Sequence, residues 1–234
     1  MDKFLVKYDV QTLIDEDNLD EITNANDRTF IDAIDAAVEE VAGYLRHRYD
    51  YDKVFKVVQP YSSIITFVVD DRIYWNEPAL DIAITYLTGD LVSYLGNIYE
   101  ANQSVPAEAF DSAKWDLQAE NNTFYTCTAT SINNLPNDTD FFSAGDNRNA
   151  KIKQVTLDVV LYNIHSKISP RSVPEVRLKR YDGMGNKKDS GNALAYLEKV
   201  QKGVVTLDLP VIEPTVQNTE RFSYGTTSNV NHNY

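Results

Sequence analysis

The hydrophobic positions of the chain follow two periods. Between residues 147 and 210 they recur at helical spacing. Ile152, Val155, Val159, Tyr162 and Ile168, with Leu157, Val160, Leu161 and Ile164 filling in, cover more than half of a helix surface, which predicts a mostly buried helix. Ser169-Pro170 stops it, because proline lacks an N–H and pushes the preceding residue out of helical geometry, and Pro174 opens the next helix at its first position. A third helical run carries Leu194, Leu197 and Val200 and ends at Gly203, a residue able to take the left-handed conformation of a helix C-cap. Towards the N-terminus, Asn26-Asp27 caps a helix running to about Tyr49. Phe30, Ile34, Ala37, Val38, Val41 and Leu45 lie on one face of it, with Asp32, Asp35, Glu39 and Glu40 opposite. Ahead of it, residues 4–21 alternate short apolar groups with acids.

From 57 to 149 the period shortens towards two. Residues 64–69 read as a strand, Asp70-Asp71 as a tight turn and residues 72–75 as a second strand. Gly89 and Gly96 divide Tyr- and Val-rich segments into a short β-meander. A helix over residues 78–95 is the competing reading, disfavoured by the interior glycines and the Thr, Tyr and Ile content. Residues 114–117 and 123–128 read as further strands, and the Asn/Asp/Pro-rich run 133–146 as loop. Beyond Pro210 the chain is polar and too poor in apolar residues to build a core, which predicts an extended C-terminal tail able to order on a neighbour. The expected fold class is α+β: a mainly helical bundle of about four helices, with an inserted small all-β module and that extended tail. The corresponding units are 1–56 plus 151–210, 57–150 and 211–234.

Composition narrows the function more than the fold. A content of 43% hydrophobic residues supports a packed core in a chain of 234 residues, and the formal charge of −13 argues against nonspecific nucleic-acid binding by the whole surface. Acidic residues concentrate early: residues 1–40 hold twelve acids against three bases. One cysteine, Cys127, excludes an intrachain disulfide framework and a multi-cysteine zinc site. Neither a basic leader with an apolar run nor a stretch of ~20 apolar residues is present, which predicts a soluble protein made in a cytoplasm. His47 beside Asp50 and Asp52, and His165 in the long helix, lack a second histidine at metal spacing, and no serine sits in a nucleophile turn. No catalytic residue, metal ligand or cofactor is expected, and the chain reads as a non-enzyme. Two charged groups are candidates for contacts. The bases Arg171, Arg177, Lys179, Arg180, Lys187 and Lys188 cluster around Tyr181, and the acids Asp15, Glu16, Asp17, Asp20 and Glu21 offer an opposite face. The aromatics of the insertion, Trp75, Tyr94, Tyr99, Trp115, Tyr125 and Phe142, read first as the core of a small β-domain and second as a stacking surface for sugars.

The C-terminal segment carries a resemblance. His-x-x-Ile-x-Pro-Arg (165–171), Pro-x-x-Arg (174–177), Arg-Tyr-Asp (180–182) and Leu-x-x-Val-x-x-Gly (197–203) resemble, in this order, the C-terminal half of head-to-tail connector proteins of tailed bacteriophages, also called adaptors or head-completion proteins. Residues 33–55, with Tyr-Leu-x-x-Arg-Tyr at 44–49, look like the first long helix of the same connectors. The insertion 183–192 departs from the family, which usually runs straight on there. Tyr86-x-x-Gly-Asp-x-Val-x-Tyr and Gly96-Asn-Ile-Tyr-x-Ala, followed by Trp115, resemble small chitin- or carbohydrate-binding β-modules, which occur inside some connectors of crAss-like phage relatives. The resemblance implies a structural virion protein at the head-to-tail interface, with about a dozen copies in a ring that joins the portal protein to the next tail or ring protein. DNA would pass through its channel without sequence-specific contact, and no membrane is involved. Ring or portal contacts are expected from Arg171, Arg177, Lys179, Arg180, Tyr181, Lys187 and Lys188 and from Arg221, Phe222 and Tyr224 of the tail. A glycan-binding accessory virion protein, acting through Trp75, Tyr94, Tyr99 and Trp115, is the alternative.

Overall fold

The computed structural model describes residues 3–23, 26–168, 173–183 and 192–212. Its helices are α1 (Lys7–Gln11), α2 (Glu16–Thr23), α3 (Asp27–Leu45), α4 (Tyr51–Val54), α5 (Ala150–Ile168), α6 (Glu175–Tyr181) and α7 (Ala193–Gln201). The Asn26 side chain accepts from the Arg28 N–H, so the expected cap is made. Pro174 stands just outside α6 as its N-cap, and Gly203 has φ +73 after α7. The Ser169-Pro170 stop lies outside the described residues. Helix α5 is central: Ile152, Val155, Leu157, Val159, Val160, Leu161 and Ile164 are all buried, as is Thr156, whose hydroxyl donates to the Ile152 carbonyl. Such all-round burial needs partners on several sides, and α2, α3, α6 and α7 all pack on it. Helix α3 ends at Leu45, short of Tyr49. Tyr49 is instead buried beyond the helix end, bridges to Val211 and accepts at its hydroxyl from the Leu207 N–H.

The strands are β1 (Val58–Pro60), β2 (Arg72–Trp75), β3 (Leu91–Tyr94), β4 (Asn97–Ala101), β5 (Trp115–Glu120), β6 (Thr123–Cys127) and β7 (Phe142–Ala144). They form a four-stranded sheet in the order β1-β2-β6-β7 and a three-stranded sheet in the order β3-β4-β5. β1 runs parallel to β2 and every other pair is antiparallel. The three-stranded sheet is inserted between β2 and β6, so one unit is nested inside the hairpin of the other. The two units repeat the same local structure. Residues 65–75 (ITFVVDDRIYW) and 84–94 (ITYLTGDLVSY) align at a spacing of 19. In the first, Phe67 pairs with Ser131, Asp70 takes φ +70, and the Asp71 carboxylate accepts from the Val68 N–H. In the second, Tyr86 pairs with Val105, Gly89 takes φ +91, and the Asp90 carboxylate accepts from the Leu87 N–H. The Asp70 N–H donates to the Cys127 carbonyl, just as the Gly89 N–H donates to the Ala101 carbonyl. The β region is a nested duplication.

These findings correct the expected fold class. The chain is α+β, but among the described residues it has seven helices and two sheets of four and three strands, in place of about four helices with one small β module. The extra helices come from the N-terminal acidic stretch, which breaks into α1 and α2 around a turn at residues 12–15, and from the single turn of α4. The larger β content comes from the second unit inside the first. Residues 64–69 are loop instead of strand, because Phe67 alone among them is buried and only it is bridged. Within 133–146, read as loop, Phe142–Ala144 forms β7, anchored by the buried Phe142. Residues 78–95 contain β3 and no helix. Of the expected tail, residues 213–234 lie outside the described residues, while Val211 and Ile212 run beside residues 48–49.

One buried network joins the helices to the four-stranded sheet. Arg148, immediately before α5, gives both terminal nitrogens to the Asp9 carboxylate of α1 at 2.6 and 2.8 Å, donates to the Phe4 carbonyl and to Asp146, and covers the Phe124 ring of β6 at 4.4 Å. Arg72 of β2 donates to the carbonyls of Lys53, Val54 and Lys56 at the end of α4. Burial raises Asp146, yet Arg148 and Lys153 outweigh it and hold its carboxyl down at about 2. The β region is therefore fixed to the helical body by charge-assisted bonds at both α1 and α4.

Candidate functional site

The basic cluster is built on α6. Its seven residues leave Glu175, Val176, Lys179 and Arg180 exposed, while Arg177, Leu178 and Tyr181 are half-buried. Tyr181 is a packing residue as well as a candidate contact. Its ring stacks on Tyr162 of α5 at 3.8 Å, and its hydroxyl donates to Glu40 of α3 at 2.7 Å. Burial, followed by Glu40, pushes its phenol up. Beneath α6, Asp158 of α5 is buried with Arg180 at 3.6 Å, an attraction too long for a hydrogen bond. Burial raises the Asp158 carboxyl and Arg180 and Arg177 oppose the rise. His165 lies half-buried nearby, lowered by burial and by Arg177.

The structure brings the basic and acidic candidates together within one chain. A groove of 490 Å³ is lined by Leu13, Ile14, Glu21 and Ile22 from the α1–α2 region, by His165, and by Val176, Arg177 and Arg180 of α6. Glu21 thus shares a groove with the bases it was expected to meet on a neighbour. Glu16 and Asp20 are paired to Lys7 at 2.8 and 3.2 Å, and Asp15 and Asp17 are exposed. Arg171, Lys187, Lys188, Arg221, Phe222 and Tyr224 lie outside the described residues.

The aromatic candidates are mostly interior. Trp75 and Trp115 are buried in the two separate β cores, Trp75 among Phe67, Ile73 and Tyr125, Trp115 among Tyr86, Val92 and Ala101. The Trp75 indole N–H donates to Glu77 at 2.7 Å, whereas the Trp115 N–H has no partner among the described residues. Tyr94 and Tyr99 are half-buried and flank Phe110, with Tyr94 stacked on it at 4.2 Å. Cys127 is a small core residue whose thiol donates to the Ala129 carbonyl, and burial raises it. His47 is exposed just beyond α3.

Sequence patterning missed the duplicated loops ahead of β2 and β3. Ile64, Ile65, Val68 and Val69 of the first and Ile82, Ile84 and Leu87 of the second are exposed. Between the two units lies a polar cleft of 470 Å³ lined by Tyr61, Ser62, Glu77, Gly89, Glu100 and Asn133. Among the described residues no three His, Cys, Asp or Glu side chains come together as a metal site, and no helix is long and apolar enough to cross a membrane. No protein-family model, no curated protein and no solved structure matches this chain.

Proposed function

We propose that the chain is a non-catalytic structural protein of a phage virion, a head-to-tail adaptor whose copies form a ring between the portal protein and the next tail component. The observation that carries the reading is the packing of α3 on α5 in one core, 24 buried residues among those described, which unites the two segments that bear the connector resemblance. The helical body is continuous through that core although the β region interrupts it in sequence. The exposed Lys179 and Arg180 of α6, beside Glu175 and Val176, supply contact chemistry for a neighbouring subunit or the portal. Function then consists of many weak contacts made together on a symmetric template.

The direct test is the native mass of the full chain, alone and mixed with the portal protein of the same phage. A multi-copy complex that forms on the portal is the expected result. A monomer that ignores the portal contradicts the reading. A glycan-binding accessory role has one supporting observation, the partly exposed Tyr94–Phe110 stack on the second β unit. Both tryptophans are buried, so this alternative rests on Tyr94 and Tyr99, and unchanged glycan retention by Tyr94→Ala would remove it.

A further inference from the structure

The cleft between the two β units is built from both of them. Glu77 follows β2 of the first unit, Glu100 lies on β4 of the second, and both line it. Its apolar wall is Tyr61, Leu91 and Leu135, which are partly buried against the first β core. The volume of 470 Å³ falls within the ~300–1,000 Å³ usual for small-molecule clefts. Both carboxylates are oriented in advance. Glu77 accepts from the indole N–H of the fully buried Trp75 at 2.7 Å. Glu100 accepts from the Gln118 amide at 2.9 Å, and Gln118 is itself held, its amide oxygen accepting from Asn137 at 3.0 Å. Each carboxylate is thereby fixed at one oxygen by a neutral donor.

These two charges lack a counter-ion among the described residues, of which no lysine or arginine lines the cleft. Residues 57–149 carry thirteen acids against three bases. Arg72 and Arg148 are engaged at the junction with the helices, and Lys114 is paired with Glu108. Burial raises the Glu77 carboxyl, with the Trp75 N–H opposing, as expected of a half-buried charge without a cation beside it. Phosphates and carboxylates would be repelled. A calcium ion takes about six to eight oxygen ligands, and among the described residues no three acids or histidines gather to supply them. The ligand that fits brings a positive charge with N–H donors for the carboxylates and methylene groups for the apolar wall.

We propose that this cleft binds a primary alkylammonium group, its ammonium held by the carboxylates of Glu77 and Glu100 and its methylene stem lying along Tyr61, Leu91 and Leu135. A free aliphatic amine and a lysine side chain of a partner carry the same chemistry, and the test separates them. The binding energy comes from charge-assisted hydrogen bonds in a partly water-excluded site, with the side chains already positioned. The inference uses the β region alone and does not rest on the ring reading.

The test is titration of the full chain with pentylamine and, separately, with a blocked tripeptide carrying a central lysine. Amide chemical shifts map the contact, and circular dichroism confirms that each variant is folded. Saturable binding of either probe, with shifts at residues 61–63, 77, 89, 100 and 133–135, is the expected result. Binding of pentylamine alone assigns a free amine, and binding of the tripeptide assigns a lysine side chain. Glu77→Gln and Glu100→Gln each weaken the binding by about tenfold. Glutamine keeps an oxygen for the Trp75 or Gln118 donor, so the cleft retains its shape in both variants. Asp17→Asn, which removes an exposed acid of α2, leaves the binding unchanged. Pentanol, with the stem but no charge, does not compete. Four results would each overturn the proposal: neither probe binds, the glutamine variants bind like wild type, Asp17→Asn weakens binding as much as Glu77→Gln, or pentanol binds as tightly as pentylamine.

Discussion

The helical body and the β region use their apolar residues in opposite ways. Among the described residues the helical body gathers 24 buried ones into one core, whereas the β region divides its own into cores of seven and five. Of the fifteen large hydrophobic residues exposed among the described residues, ten belong to the β region. Strand length explains part of this difference. Strands of three to six residues present few inward positions, and once Phe67, Ile73 and Trp75, or Tyr86, Val92 and Trp115, are placed, each core is full. The loop residues have no interior left to enter. A region built this way stabilises little beyond itself but offers surface, while the helical body is closed and carries the stability.

The contrast is broken most severely where the two regions join. Arg148→Ala takes both guanidinium bonds from the buried Asp9 carboxylate, leaving it the Val6 N–H and Lys153 at 3.6 Å, and should cost about 3 kcal/mol, read as a lower denaturant midpoint. A loss below about 1 kcal/mol would mean that the junction is solvated in solution. Next, Ile164→Ala in the centre of the helical core should cost about 2–5 kcal/mol. If Ile73→Ala in the first β core costs as much and unfolds the chain in the same single transition, the two regions fold as one unit.

A smaller effect follows from pH. Asp146 is held at about 2, below its ordinary 3.8, so its contribution is present above about pH 4 and is lost as the pH falls through the folded value. The shift corresponds to about 2 kcal/mol, and Asp146→Asn should flatten stability over that acidic window. A wild-type profile that is already flat there would show that Arg148 and Lys153 do not hold Asp146. Smallest of all, Leu87→Ser should change stability by no more than about 0.5 kcal/mol, because its side chain is largely in solvent. A larger loss would place that residue in a core.

The long helices were legible because their signals are local and redundant. Asn26 caps α3, Gly203 closes α7, and the crowded apolar run of α5 announced burial on all sides. The loop 64–69 was misread as a strand because six β-prone residues in succession look the same whether one or all of them are buried. Only the partner, Ser131, distinguishes the cases, and it lies far along the chain. The duplication did leave a trace, ITFVVDDRIYW against ITYLTGDLVSY at a spacing of 19, which a search for internal repeats would have found. The basic cluster was visible as a run of charge. Its sharing of a groove with Glu21 was not, because α2 and α6 lie far apart in the chain and are brought together by packing on α5.

The most direct test of the division between a helical body with one large core and a β region with two small ones is hydrogen exchange on the full chain. Strongest protection in α3 and α5, with faster exchange at residues 63–70 and 82–89, is the predicted result. Exchange in both loops as slow as in α3 and α5 would contradict it.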